Sequence, residues 1–265
     1  MTASKTTIHP TAVIDSRAEI HQEAEIGPYV IVEGQVKIGR GTRVMAHAYL
    51  AGWTEIGEDN SIHMGAVIGH EPQDREYKGG KTYLRIGHRN IIREHVQIHR
   101  GTKPESSTII GNENFFMNHA HIAHNCEVGD GVVIAGGALL AGYVQVGDGA
   151  FISGNCVVHQ FVRIGKLAML RGLSRTSRDV PPFCIMDDTH TVKAINQVGL
   201  ERAGYSEGEI REIKEAFAQL FRRKGNLAQA VQELESRDLL SKEVVYLLDF
   251  IKSSERGVCF GPRGK

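Results

Sequence analysis

Every sixth residue from Ile8 onward is aliphatic: Ile14, Ile20, Ile26, Val32, Ile38, Val44, Leu50, Ile56, Ile62 and Ile68 follow in register. The column resumes at Ile86, Ile92 and Ile98, and again from Ile110 through Phe116, Ile122 and Val128 to Leu170. A short fixed period on this scale predicts a solenoid of hexapeptide repeats. A helix does not fit, because its period is about 3.6 residues and glycine at this density destabilises it.

The other hexad positions say how the chain turns. Position five is small, as at Ala12, Ala18, Ala24, Ala120, Cys126 and Ala138, and shares a face with position one on an extended chain. Position three would share it too, yet it carries Ser16, Gln22, Arg40, Glu58, Asn118 and Asp130, which are costly to bury unpaired. The alternation therefore breaks once per hexad, at a corner. Glycine at position two (Gly27, Gly39, Gly57, Gly129, Gly147) suits such a turn. Stacked coils then pair above and below at about 4.8 Å. A prism of this kind leaves its ends and flat faces exposed, so capping and self-association are expected.

The chain of 265 residues is long enough for one such solenoid and a small second unit. Its formal net charge of zero argues against a general nucleic-acid binder. Met1 to Thr7 is polar, without an apolar signal region, and no stretch approaches a membrane span. Cys126 and Cys156 fall at the small inward position as core thiols; Cys184 and Cys259 have no readable role. The absence of a C-x-x-C pair fits a reducing cytoplasm.

Two polar segments interrupt the period and are expected to project as loops, at 69–85 (GHEPQDREYKGGKTYLR) and 100–108 (RGTKPESST). The hexads give way near Arg178-Asp179-Val180-Pro181-Pro182, where proline cannot continue the pairing. The solenoid domain is placed at 1–190, and a connector with a C-terminal helical domain at 191–265. In the latter Ser206 and Glu209 form a capping box before the apolar stripe Ile210, Ile213, Phe217, Leu220 and Phe221, with Gly225 as its stop. Asn226 caps a second helix with Leu227, Val231 and Leu234 inward. Ser241 caps a third through Val245, Leu248 and Ile251, and the tail after Gly257 is expected to fray.

Chemistry concentrates at His119-Ala120-His121-Ile122-Ala123-His124-Asn125. The register turns His121 and His124 away from the core. Three readings are open: solvated surface histidines, a metal site, or a general base that deprotonates a hydroxyl for attack on an acyl group. Known hexapeptide proteins place three hexads in each triangular coil, so residues eighteen apart stack. His124, Gly142 and Gln160 then share a column. Glycine beside a base leaves room for a ligand and presents an N–H, the minimum kit for acyl transfer.

At this point the sequence resembles the UDP-N-acetylglucosamine O-acyltransferases of lipid A synthesis over nearly its whole length. The resemblance is carried by Ile8-His9-Pro10-Thr11-Ala12, Gln73-Asp74, Ile98-His99-Arg100-Gly101-Thr102, His121-Ile122-Ala123-His124, Leu140-Ala141-Gly142, His159-Gln160-Phe161, Asp179-Val180-Pro181-Pro182 and Asn196 with Gly199-Leu200. It implies a mainly β protein, a left-handed parallel β-helix with a C-terminal α-helical domain. It implies a cytoplasmic homotrimer with active sites between subunits, moving an R-3-hydroxyacyl chain from acyl carrier protein to the sugar 3-hydroxyl. The carrier's phosphopantetheine arm would present the acyl group, with no other cofactor and no metal.

By motif match His124 would be the base, Gly142 the oxyanion donor and Asn125 the residue orienting the base. Gln73, Asp74, His99, His121, His159, Gln160, Asn196 and Arg202 would bind substrate, and Met169 and Gly172 would line the acyl groove. The sequence departs from the family pattern at Asn125 (often aspartate), Glu76 (commonly lysine), Tyr143 (frequently histidine) and in having Arg202 alone where a pair is common. These departures leave room for an N-acyltransferase on a related amino sugar. Rival readings from other classes are a metal-dependent hydratase on the same fold and a non-catalytic scaffold.

Overall fold

The structure, a computed structural model, describes residues 7–222, 226–237 and 239–261. Among the described residues short strands stack into three sheets of eleven, nine and eight strands, all parallel except the last strand of the first sheet, forming the three faces of a left-handed parallel β-helix. The register is the predicted one: Thr7 pairs with Glu25, Val13 with Ile31 and Glu19 with Lys37, each eighteen residues on. Where the two loops intervene the spacing lengthens, Ser61 pairing with Ile91 and Gln97 with His121, without loss of register.

Position-one aliphatics from Ile26 onward are buried, and position-five residues face them across the prism. Ile8 at the first coil is exposed and Ile14 and Ile20 are half-buried, because no coil lies beneath them. Polar residues also enter this interior. Asn60, Asn90 and Asn114 stack as a ladder: the Asn90 N–H and Nδ2 donate to Asn60 Oδ1, and the N–H groups of Asn114 and Val132 donate to the next amide oxygens up. The ladder satisfies corner groups that an apolar residue would leave unpaired.

Pro181 and Pro182 do not end the coil. They occupy a buried corner, and the strand Cys184–Asp187 still pairs in parallel with the sheet at Met169 and Leu170. Proline is tolerated there because the corner backbone needs no ladder N–H. The expected connector is also structured: Thr191–Ile195 folds back antiparallel on Cys184–Asp187, and helix α1 (Gln197–Arg202) follows.

The helical unit comprises α1, α2 (Glu207–Phe217), α3 (Leu227–Glu235) and α4 (Lys242–Lys252). The Ser206–Glu209 capping box forms as expected, and α2 runs on through a π-helical turn, Ala218–Arg222, that carries Leu220 and Phe221 inward. Asn226 caps α3 through Ala228 N–H. Ser241 stands at the N-cap of α4 but its hydroxyl makes no capping bond, and Val245 faces outward while Val244, Leu247 and Leu248 fill the core. Gly225 lies outside the described residues.

The tail after Gly257 is not frayed over its described part. Cys259 N–H donates to Asp179 O at 2.8 Å and Val192 N–H to Phe260 O at 3.0 Å. Cys259 is 0% exposed. The tail closes the upper end of the solenoid where the last coil would otherwise be open.

Candidate active site

His124 sits at a corner of the prism with its ring laid against Gly142 of the next coil. Any Cβ at Gly142 would lie 2.6 Å from His124 Nε2, so only glycine fits. Tyr143 N–H donates to His124 O and Phe161 N–H to Gly142 O, both at 3.0 Å, which confirms the column His124–Gly142–Gln160. Among the described residues no acceptor meets the Gly142 N–H.

The ring points away from the core, yet the side chain is only 10% exposed. The reason is tertiary: the loop at 69–85 folds over it, setting Asp74 Oδ2 3.4 Å from Nε2, and Tyr143 stands edge-on at 5.4 Å between centroids. The picture of freely solvated histidines is therefore wrong for His124.

Asn125 decides the tautomer. Its φ of 59° is a left-handed corner value that asparagine tolerates. Thr102 N–H donates to Asn125 Oδ1 at 2.9 Å, so that atom is the amide oxygen, and the 3.1 Å contact from His124 Nδ1 must then be an Nδ1–H donor. In the neutral ring the lone pair is then on Nε2, and Asp74 Oδ2 at 3.4 Å is placed to pair with Nε2 once it takes up a proton. The Asn125 N–H in turn donates to Thr108 Oγ1 at 2.8 Å. Thr102 stood in the sequence only as the end of a matching segment, and Thr108 was not singled out; the sequence shows a loop and not what it touches.

His99 and His121 line the same corner, their rings tilted at 5.2 Å. His99 Nδ1 donates to Glu71 O at 2.6 Å, while its buried Nε2 has no partner among the described residues. Burial pushes the His99 imidazole down to about 4, with His121 and His70 adding to the shift. Neutral at pH 7, its Nε2 is an acceptor suited to a hydroxyl. Burial likewise lowers His121, with His124 as the lesser cause, and raises the Tyr143 phenol, with Asp74 contributing.

The remaining expected residues are distributed. Gln73 is exposed on the loop, and Asp74 Oδ1 accepts from Glu76 N–H at 3.0 Å. His159 and Gln160 are exposed above Gly142, with Arg256 Nη2 3.4 Å from His159 Nδ1, a cation the sequence did not single out. Asn196 and Arg202 stand at the two ends of α1. Asn196 Nδ2 donates to Leu167 O and its Oδ1 caps Gly199, so this side chain is already engaged; Arg202 is exposed. Met169 points outward beside Phe151, and a Cβ on Gly172 would meet only Gly154 O, at 3.6 Å. No group of three or more His, Cys, Asp or Glu among the described residues is placed to hold a metal.

A prism of hexads carrying an oriented imidazole over a glycine N–H defines a hexapeptide-repeat acyltransferase. The comparisons narrow the class. A profile described as "Udp N-acetylglucosamine O-acyltransferase; Domain 2" matches residues 179–259, and one for bacterial transferase hexapeptides matches 35–70 and 107–142. A Thermodesulfovibrio yellowstonii protein named acyl-[acyl-carrier-protein]–UDP-N-acetylglucosamine O-acyltransferase is 44% identical over 95% of this chain and 98% of its own. One of the same name from Syntrophobacter fumaroxidans is 45% identical at the same coverage. Among solved structures, UDP-N-acetylglucosamine acyltransferase of Francisella novicida superposes with TM-score 0.90 at 33% identity, covering 97% of this chain and 95% of that one. The Moraxella catarrhalis enzyme does so with TM-score 0.90 at 38% identity, covering 95% and 99%. The chain belongs to the UDP-N-acetylglucosamine O-acyltransferase family.

Proposed function

We propose that this chain transfers a 3-hydroxyacyl group from acyl carrier protein to the 3-hydroxyl of UDP-N-acetylglucosamine, the first step of lipid A synthesis, with His124 as general base. The observation that carries the reading is the ring of His124 resting on Gly142, its free lone pair fixed on Nε2 by Asn125. The acceptor hydroxyl gives its proton to Nε2 as its oxygen attacks the thioester carbonyl. The oxyanion takes a hydrogen bond from Gly142 N–H. Collapse breaks the carbon–sulfur bond, and the departing thiolate of the carrier arm takes the proton back from the imidazolium. Neither metal nor redox cofactor enters these steps.

His99 Nε2, His121 and Asp74 surround the corner as contacts for the sugar. His159 and Gln160 lie further along the prism and Arg202 ends α1, where a neighbouring subunit of a cytoplasmic homotrimer brings them to the nucleotide; Asn196, whose side chain is engaged at the start of α1, holds that helix in place. The outward stripe Phe115, Val133, Phe151 and Met169 on one face supports such an assembly. Sedimentation returning the mass of one 29.2 kDa chain overturns the trimer.

The test is acyl transfer by wild type and His124→Ala with UDP-N-acetylglucosamine and with its 3-amino analogue. Wild type is expected to acylate the hydroxyl, and the variant to lose more than ~10²-fold in kcat while keeping its circular dichroism. Near-normal turnover by the variant removes His124 from the chemistry. Preference for the amine moves the assignment to an N-acyltransferase. Activity abolished by chelator and restored by zinc favours a metal-dependent reaction instead.

A further inference from the structure

Arg100 belongs to none of the roles above, yet it is among the most heavily engaged side chains in the molecule. It is buried at the start of the second loop, next to His99. Its guanidinium binds the first loop at its beginning, middle and end. Nη1 donates to Gly69 O at 3.0 Å, Nη2 to Tyr77 Oη at 2.7 Å and Nε to Thr82 Oγ1 at 3.1 Å. Glu71 Oε1 lies 3.4 Å from Nη2 and supplies the counter-charge. The guanidinium also lies near the rings of Trp53 and Tyr77, with Cζ 5.8 and 5.5 Å from their centroids.

Tyr77 is the link to the site. Its hydroxyl donates to Gly80 O at 3.1 Å, and its N–H donates to Asp74 O at 3.1 Å, closing the turn that aims Asp74 Oδ2 at His124. A planar fork that meets three points of one loop is a task for arginine; lysine keeps the charge but not the geometry.

We propose that Arg100 is a positioning residue for acyl transfer: it clamps the 69–85 loop so that the Asp74 carboxylate stands over the base, and so sets affinity for the acceptor sugar. The role rests on the functional reading above. It acts through Asp74 and not through contact with substrate, and it assigns His99 and Arg100 two halves of one device, the first holding the loop backbone at Glu71 and the second its interior.

The test is a double-mutant cycle of Arg100→Lys with Asp74→Ala, reading kcat and both KM values. It is accompanied by limited trypsin cleavage after Arg75 and Lys78, which are exposed on the loop. Arg100→Lys is expected to raise the acceptor KM about 10-fold, to leave the donor KM within about 2-fold, and to add less than about 2-fold in the Asp74→Ala background. Cleavage of the loop should accelerate. Tyr77→Phe, which leaves the buried charge in place, should show a smaller effect of the same kind and keeps the test valid if Arg100→Lys folds poorly. Equal losses in both Asp74 backgrounds, equal rises in the two KM values, or unchanged cleavage overturn the proposal. If wild type transfers nothing to the sugar, the functional reading falls, and the clamp is judged by the cleavage rates alone.

Discussion

His99 shows what one buried side chain settles about chemistry and stability together. Its Nδ1 proton is committed to Glu71 O, and burial holds the ring neutral, with a folded value of about 4 against an ordinary 6.5. The unfolded chain therefore binds a proton first as pH falls. Stability is full above pH 6.5 and is lost progressively between there and about 4, by at most ~3 kcal/mol from this group. The difference between thermal melts of wild type and His99→Gln should be largest and level above pH 6.5 and shrink toward pH 4; a difference that stays constant from pH 6.5 down to 4 removes the titration of His99 as the cause. The motif match named these residues. It did not give their protonation, because that depends on Thr102 N–H and Glu71 O, groups brought in from elsewhere in the chain.

At the scale of elements, the two interruptions of the period and the C-terminal tail do the work that the coils do not. The first loop turns an exposed corner into a covered site. The tail ties the last coil to the helical unit at Asp179. That carboxylate, itself buried, accepts from Arg163 N–H and Nε and from Ser254 Oγ, while its backbone pairs with Gly257 and Cys259. Cys259→Asp would bury a second carboxylate beside it. Urea unfolding should show a loss of several kcal/mol, about 3 or more, whereas Cys259→Ser should cost about 1–3. Unchanged midpoints in both variants would mean that the tail is not part of the folded end. The stripes of the first two expected helices and two of the three caps were readable because capping and helical spacing are local; in α4 the expected stripe put Val245 inward where Val244 and Leu247 stand. The hairpin of Cys184–Asp187 with Thr191–Ile195 was hidden by the proline pair, a strong breaker in isolation that a buried corner accommodates.

At the scale of the whole molecule, the prism supplies a ruler. Asn118, Gly136, Gly154 and Gly172 follow one another eighteen residues apart at one corner, and the space over Gly172 is open. By its place beside Met169 this corner is the proposed path of the acyl chain. A methionine at 172 fits the backbone, since its Cβ meets only Gly154 O at 3.6 Å, and its side chain would fill the path. Gly172→Met is expected to shift preference from donors of about fourteen carbons toward shorter ones, each lost buried methylene weakening binding by ~0.8 kcal/mol. Competition between donors of two lengths reads the shift, and an unchanged ratio makes Gly172 a corner glycine with no part in chain selection.

The sequence by itself determined the solenoid and its six-residue register, because each hexad repeats the same inward and outward choices. The stacking of His124 on Gly142 needed one thing more, the three hexads per coil of known hexapeptide proteins, and the eighteen-residue pairing then follows. Only the tertiary structure decided that the base is buried, which nitrogen carries its lone pair, and what holds the loop above it. Those outcomes arise where segments without a shared period meet: Asp74 with His124, Thr102 with Asn125, Arg100 with Tyr77. No spacing along the chain encodes such meetings. They are set by which polar groups can satisfy one another once the prism has fixed the corner.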